Sequence, residues 1–193
     1  MNANDNAPPY FEILTYPRDA LLLRRKARPV SDDEFGTPAF LDFVQRLGDT
    51  CMAAGGMGLA ATQVEEAPAG VPWAVFALRV GGSFGIVCNP EILDAAEEKI
   101  GAEACLSFAS VPEAMLAPSQ VTLRGREPEK GEEFTLVLSD EQARCAAHEC
   151  QHLLGRTMVD RMSQMKKGLF LKRVAFTSTP GPAKRRRACR RKH

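Results

Sequence analysis

The chain has 193 residues, 45% of them hydrophobic and 25% charged, with a formal net charge of +1. That length is enough for one compact domain with a real core, and the composition is that of an ordinary globular protein. No apolar run approaches the roughly 18–20 residues that a membrane-spanning helix needs, and the first nine residues lack the charged and apolar regions of a secretion signal, so a cytoplasmic location is expected.

The small net charge hides an asymmetry. Seven of the last ten residues are Lys or Arg, so the rest of the chain is acidic. Six cysteines are scattered through apolar segments. They read as reduced thiols, one or more of them a metal ligand, and not as a disulfide framework.

In chain order, residues 1–9 read as a loose tail and residues 10–174 as a single domain. Residues 11–17 make a short extended start. Residues 20–27 contain Leu21, Leu22 and Leu23, a turn of helix or a loop that docks its leucines. Ser31-Asp32-Asp33-Glu34 reads as a helix N-terminus. Phe40, Phe43, Val44, Leu47, Cys51 and Met52 then recur at helical spacing, up to a stop at Gly55-Gly56.

A glycine-rich stretch, Gly56-Met57-Gly58-Leu59-Ala60-Ala61-Thr62-Gln63, follows. After a turn at 68–72, residues 73–78 and 84–88, joined by Gly81-Gly82, predict a hairpin. Asn89-Pro90 should break its second strand, with a further strand over 91–100. Residues 108–119 contain two prolines and read as a loop. Residues 121–126 and 133–138 predict a second hairpin. Ser139-Asp140-Glu141-Gln142 is an N-cap signal for a helix that Gly155 closes. A last helix over 163–174 carries basic residues toward its end, where they suit the dipole, and 175–193 is linker and basic tail. The sum is an α+β domain: antiparallel strands packed around a central helix, flanked by an N-terminal and a C-terminal helix.

That central helix carries His148-Glu149-Cys150-Gln151-His152, an HExxH pattern holding two of the chain's three histidines. Positions i and i+4 share a helical face, so both rings can meet one metal ion, and Glu149 can serve as general base toward a water there. A catalytic site of this type takes three protein ligands. Downstream, Met158 stands where an extended pattern would have its third histidine, no glutamate follows Glu149, and His193 sits in the charged tail. Asp160 is the one acid left on that side. Upstream, Cys145 and His152 lie seven residues apart, roughly 10 Å along a helix, too far for one ion. Cys150 points away, and Cys51 and Cys88 read as core thiols. Cys105, flanked by Glu103 and Ser107 at a strand end, can present a thiolate to the helix. Chemistry alone leaves Cys105 and Asp160 both open.

Three blocks together resemble the peptide deformylase family. Residues 56–63 resemble its GxGLAAxQ motif, Glu103-Ala104-Cys105-Leu106-Ser107 its EGCLS motif, and residues 148–153 its HExxHL motif. The resemblance spans about residues 10–172. It implies that Cys105, His148 and His152 hold one divalent metal, Fe2+ first, with Zn2+, Ni2+ or Co2+ accepted. It implies that Glu149 moves the proton from water to the leaving amine. Gln63 and the Leu106 N–H would stabilise the oxyanion. Met57, Gly58 and Cys145 would line a pocket for the methionine side chain. The substrate class implied is the N-formyl-methionyl nascent peptide, with formate released.

The chain also departs from the family. Ala104 replaces the glycine of EGCLS, which would strain the Cys105 loop if that position needs a left-handed backbone. The segment Phe108-Ala109-Ser110-Val111-Pro112 lacks the usual proline-glycine, and Pro112 and Ala117 stand near positions where many members have arginines. These departures motivate an alternative, a non-catalytic deformylase-like protein that binds peptide or ribosome. A protease using Asp160 is a third reading. The basic end at 184–193 suits phosphate contacts on a ribosome, or is simply a solvated terminus.

Overall fold

Five antiparallel strands form a meander in which each strand pairs with the next in the chain. They are β1 (Gly58–Ala60), β2 (Val75–Val80), β3 (Ser83–Glu103), β4 (Glu113–Arg126) and β5 (Glu133–Ser139). Three α-helices accompany them: α1 (Pro38–Ala53), α2 (Asp140–Leu153) and α3 (Gln164–Ser178). This computed structural model describes residues 10–66, 70–80 and 82–178. The N-terminal tail, Gly81, part of the turn at 68–72 and everything from 179 onward lie outside the described residues.

The architecture is the expected α+β domain. Burial alternates along the whole of β4, the period-2 pattern of a sheet with one covered face. The cover is α2, whose Ala143, Ala146 and Leu153 pack with Val121, Leu123 and Leu138 of the sheet and with Phe76 and Leu78 of β2. Helix α1 packs Phe40, Phe43, Val44, Leu47 and Cys51 with Leu59, Trp73, Val75 and Ala77. A third cluster joins Phe108, Val111 and Met115 to Phe170 and Val174 of α3.

Several boundaries differ from expectation, each for a physical reason. Helix α1 starts at Pro38, not at Ser31. Thr37 caps it by accepting from Phe40 N, and Pro38 takes the first turn, where its missing N–H costs nothing. The acids at 31–34 make a turn instead. Of the three leucines at 21–23 only Leu23 is buried, and Met52 of the α1 stripe is exposed. Helix α3 runs four residues past 174, so the start of the expected linker is helical.

Asn89-Pro90 does not end a strand. β3 continues through it as a bulge: Asn89 takes φ 49°, and the pairing with β4 shifts between Cys88 and Glu91. The Asn89 side chain holds the Val30 backbone through both its oxygen and its nitrogen, at 2.8 and 2.9 Å. Likewise most of the expected loop at 108–119 is strand. Glu113–Ser119 lies within β4, with Pro118 opposite Glu98 of β3. β5 begins to pair only at Gln120, so Pro118 has a free outer edge, where a missing N–H breaks no ladder. Basic side chains cover that edge. Arg161, Lys166 and Arg173 donate to the carbonyls of Leu116, Ala114 and Pro112.

Glu34 anchors the N-terminal half. It accepts from both terminal nitrogens of Arg28, from Trp73 Nε1 at 2.9 Å and from Ser31. The Arg28 pairing holds the carboxyl far below its ordinary 4.5, against the opposing pull of partial burial. A carboxyl depressed in this way stabilises the fold fully above its unfolded pKa, and loses that contribution as pH falls through its folded value. Glu34→Gln should cost about 1–2 kcal/mol at pH 7. Urea melts between pH 7 and pH 3 should show a flatter acid loss of stability in the variant than in the wild type. Parallel curves would remove Glu34 from the acid response.

Candidate metal centre and active site

The centre forms where the end of β3 crosses α2. Strand β3 stops at Glu103, Cys105 follows in extended conformation, and Leu106–Phe108 turns as a short 3-10 helix. That turn is fixed from behind. Phe108 stacks on Tyr16 with ring centroids 5.4 Å apart and packs on Phe170, while Tyr16 N donates to Ser107 O.

Cys105, His148 and His152 converge. Cys105 Sγ lies 3.3 Å from His152 Nε2, the two Nε2 atoms lie 3.1 Å apart, and all three donor atoms fall within 4.8 Å of one another. Bonds of about 2.0–2.3 Å to one tetrahedral ion set its donors roughly 3–4 Å apart, so the trio has the right span. The residues fit a cation in two further respects. All three are buried, and the carboxylates of Glu103 and Glu149 sit around them, also buried. Among the described residues His152 Nδ1 has no partner, whereas the ring of His148 is held from behind.

That support is Glu103, which sequence pattern alone marks only as a neighbour of Cys105. Its Oε1 lies 2.7 Å from His148 Nδ1 and also pairs with Arg161. A carboxylate behind an imidazole fixes ring orientation and tautomer and raises ligand basicity. Burial works to raise the Glu103 pKa, but His148 and Arg161 outweigh it and lower it. For His148, burial opposes the charged form, and Cys105 and Glu103 overcome it to raise the pKa. His152 moves down through burial and the nearby His148. The signal for Glu103 was present: residues i and i+2 of an extended chain share a face, so Glu103 and Cys105 look the same way.

Glu149 is buried beside the trio, and among the described residues its Oε2 has no partner. Burial raises its pKa to about 7, with His148 pulling the other way. A carboxyl near neutrality both takes and gives a proton at physiological pH. Gln63 is buried too. Its oxygen accepts from Ala60 N at 2.9 Å, so its Nε2 is turned to Ser107 Oγ at 3.1 Å and Cys105 Sγ at 3.5 Å. Leu106 opens the 3-10 turn, and the first N–H groups of a helical turn have no partner within it.

A cavity of about 320 Å³ opens over these groups, lined by Met57, Gly58, Cys145, Ala104, Leu106 and Arg144 among others. A Cβ on Gly58 would sit 2.7 Å from both Cys145 Sγ and Glu149 Oε1, so this strand approaches α2 only without a side chain. Cys145 therefore stands in the cavity wall and outside the donor trio. Asp160 is not in the trio either. Its carboxylate is engaged by Arg24 and by Thr157 N. The strain expected at Ala104 is absent: Ala109 and Ser110 are the left-handed residues of this loop, each at φ 53°. They replace the proline-glycine, at a cost of about 1–2 kcal/mol per residue.

A buried thiol and two imidazoles with a glutamate beside them, at the floor of an open cavity, define a metal-dependent hydrolase. The comparisons name the family. The polypeptide deformylase family model matches residues 10–168. Peptide deformylase of Syntrophomonas wolfei is 31% identical over 151 residues, covering 78% of this chain and 92% of that protein. Peptide deformylase of Clostridium botulinum is 34% identical over 144 residues, covering 74% and 91%. Among solved structures, peptide deformylase from Thermotoga maritima superposes with a TM-score of 0.69 at 28% identity, covering 80% of this chain and 98% of that one. The Legionella pneumophila enzyme shares the fold, with a TM-score of 0.76 at 24% identity, covering 89% and 99%. The chain belongs to the polypeptide deformylase family.

Removing the support behind His148 is informative. Glu103→Gln should weaken metal affinity by about 10–100-fold while the protein stays folded. Competition with a metal-sensing chelator measures this, and an unchanged affinity would show that the Glu103 contact to His148 does not support metal binding.

Proposed function

We propose that this protein removes the N-terminal formyl group from N-formyl-methionyl peptides as they are made, releasing formate and a free amine. The observation that carries the reading is the convergence of Cys105, His148 and His152 beneath a cavity that Cys105, His148, Glu149 and Gln63 line. We assign Cys105, His148 and His152 as ligands of a divalent cation, Fe2+ first, with Zn2+, Ni2+ or Co2+ compatible with one thiolate and two imidazoles. That cation supplies Lewis-acid chemistry, bringing the pKa of a water toward neutrality.

The rest of the work falls to the chain's own groups. Glu149 takes the proton from the attacking water and passes it to the departing amine nitrogen as the formyl C–N bond breaks. Gln63 Nε2 and Leu106 N–H donate to the formyl oxygen as it gains charge. Such donors matter because they are already oriented before charge develops. Gly58 lets the substrate backbone come close, and Met57 and Cys145 offer soft apolar walls to a methionine side chain. Residues 10–174, continued by the end of α3, form the catalytic domain.

Formate release by protein loaded with iron or nickel under anaerobic conditions tests this directly. Cys105→Ala should lose the metal. Glu149→Gln should keep it and lower kcat about 10²–10⁴-fold, and Gln63→Leu should lower kcat about 10²–10³-fold. A metal-loaded wild type that releases no formate from formyl-Met peptides sinks the assignment.

We also assign the basic end at 184–193, together with Lys167 and Lys172 of α3, to contacts with ribosomal RNA phosphates in the cytoplasm. No helix among the described residues is long and apolar enough to cross a membrane. Co-sedimentation with ribosomes should fall steeply between low and high salt and be lost on deleting 180–193. Salt-independent sedimentation that survives the deletion would overturn this contact.

A further inference from the structure

The active-site cavity has a polar end that the deformylase reading leaves unused. Glu141, Arg144, Cys145 and His148 share one face of α2, and all four line the cavity. Arg144 lies four residues before His148, about 6 Å along the axis, and side chains on a helix lean toward its N-terminus. Moving away from the metal ligands, the wall therefore passes from Cys145 to the Arg144 guanidinium, with the exposed Glu141 one turn further at the rim.

That guanidinium is held in place. Arg144 Nη1 donates to Met115 O at 2.9 Å and Nη2 to Lys99 O at 2.8 Å. The head lies across Gly101, where a Cβ would come within 2.7 Å of Nη2. The two carbonyls use two of the five N–H donors that arginine carries. Among the described residues Arg144 has no carboxylate partner, whereas Arg161 pairs with Glu103. A half-buried, fixed cation facing a cavity presents donors that an apolar ligand leaves unsatisfied.

We propose that Arg144 makes the far end of the first-residue pocket a hydrogen-bond donor. The enzyme then accepts N-formyl residues of methionine's length whose side chain carries a strong acceptor near its end, methionine sulfoxide above all, besides methionine itself. This rests on the deformylase reading of the site and specifies its substrate class. A thioether sulfur accepts weakly, and a sulfoxide oxygen is a polar acceptor on a side chain of nearly the same length. Sites built to hydrogen-bond a substrate group discriminate strongly against analogues that lack it.

The test compares kcat/KM for two otherwise identical N-formyl peptides that begin with methionine sulfoxide or with norleucine, on the metal-loaded full chain. The wild type should cleave the sulfoxide peptide at least as efficiently as the norleucine peptide. Arg144→Leu should lower the sulfoxide-to-norleucine ratio by about tenfold or more. Gly101→Ala keeps the arginine but pushes its head aside, and should lower the ratio in the same direction; it decides the matter if Arg144→Leu does not fold. The proposal is overturned if the ratio is unchanged in the folded variants, or if the wild type disfavours the sulfoxide tenfold. Failure to cleave either peptide would fell the deformylase reading itself and this specificity with it.

Discussion

The hydrogen bond between Glu103 and His148 ties together parts of the chain that are 45 residues apart in sequence. A buried carboxylate is tolerable only when charges and donors surround it, and here both partners come from different elements: α2 supplies His148 and the connector after it supplies Arg161. One side chain thus locks the end of β3 to α2 and to the chain beyond it. Cys105, two residues on, is carried to the histidines by that lock. The aromatic brace of Tyr16, Phe108 and Phe170 then holds the turn from the opposite side.

The same crossing sets the electrostatics. Glu103 and Glu149 are both buried there, and they answer the burial differently. Glu103 stays ionised because it is paired. Glu149, with one oxygen lacking a partner, rises to about 7. Two buried carboxyls are thereby set apart by environment alone, one held ionised and one brought near neutrality. A cation at the trio would bind the folded chain and not the unfolded one, so it would add to stability by mass action.

The chemistry of the site was largely legible in the sequence because it is written in short local patterns. HExxH fixes two donors on one helical face, and the strand end at Cys105 offers a third. Cys145 could be separated from the ligands by helix length alone. The fold class and both hairpins were legible from period-2 runs and turn residues. What escaped were places where tertiary context overrides a local signal. Pro118 and Pro90 looked like breakers, yet one sits on a free edge and the other in a bulge. Ser31 looked like a cap, but Glu34 is drawn to Arg28 and Trp73, and Thr37-Pro38 starts the helix. Arg144 carried no signal at all, since only the packing of β3 against α2 turns it into the cavity.

The outer edge of β4 before Gln120 has a further bearing on how the molecule behaves in a crowd. An unpaired strand edge is a template on which another chain can add itself. Here three carbonyls along that edge already accept from Arg161, Lys166 and Arg173, and Pro118 offers no N–H to a newcomer. An incoming strand would meet acceptors already engaged and a missing donor. The strand edge that β5 leaves uncovered is thus closed to recruitment of another chain without a further strand being spent on it.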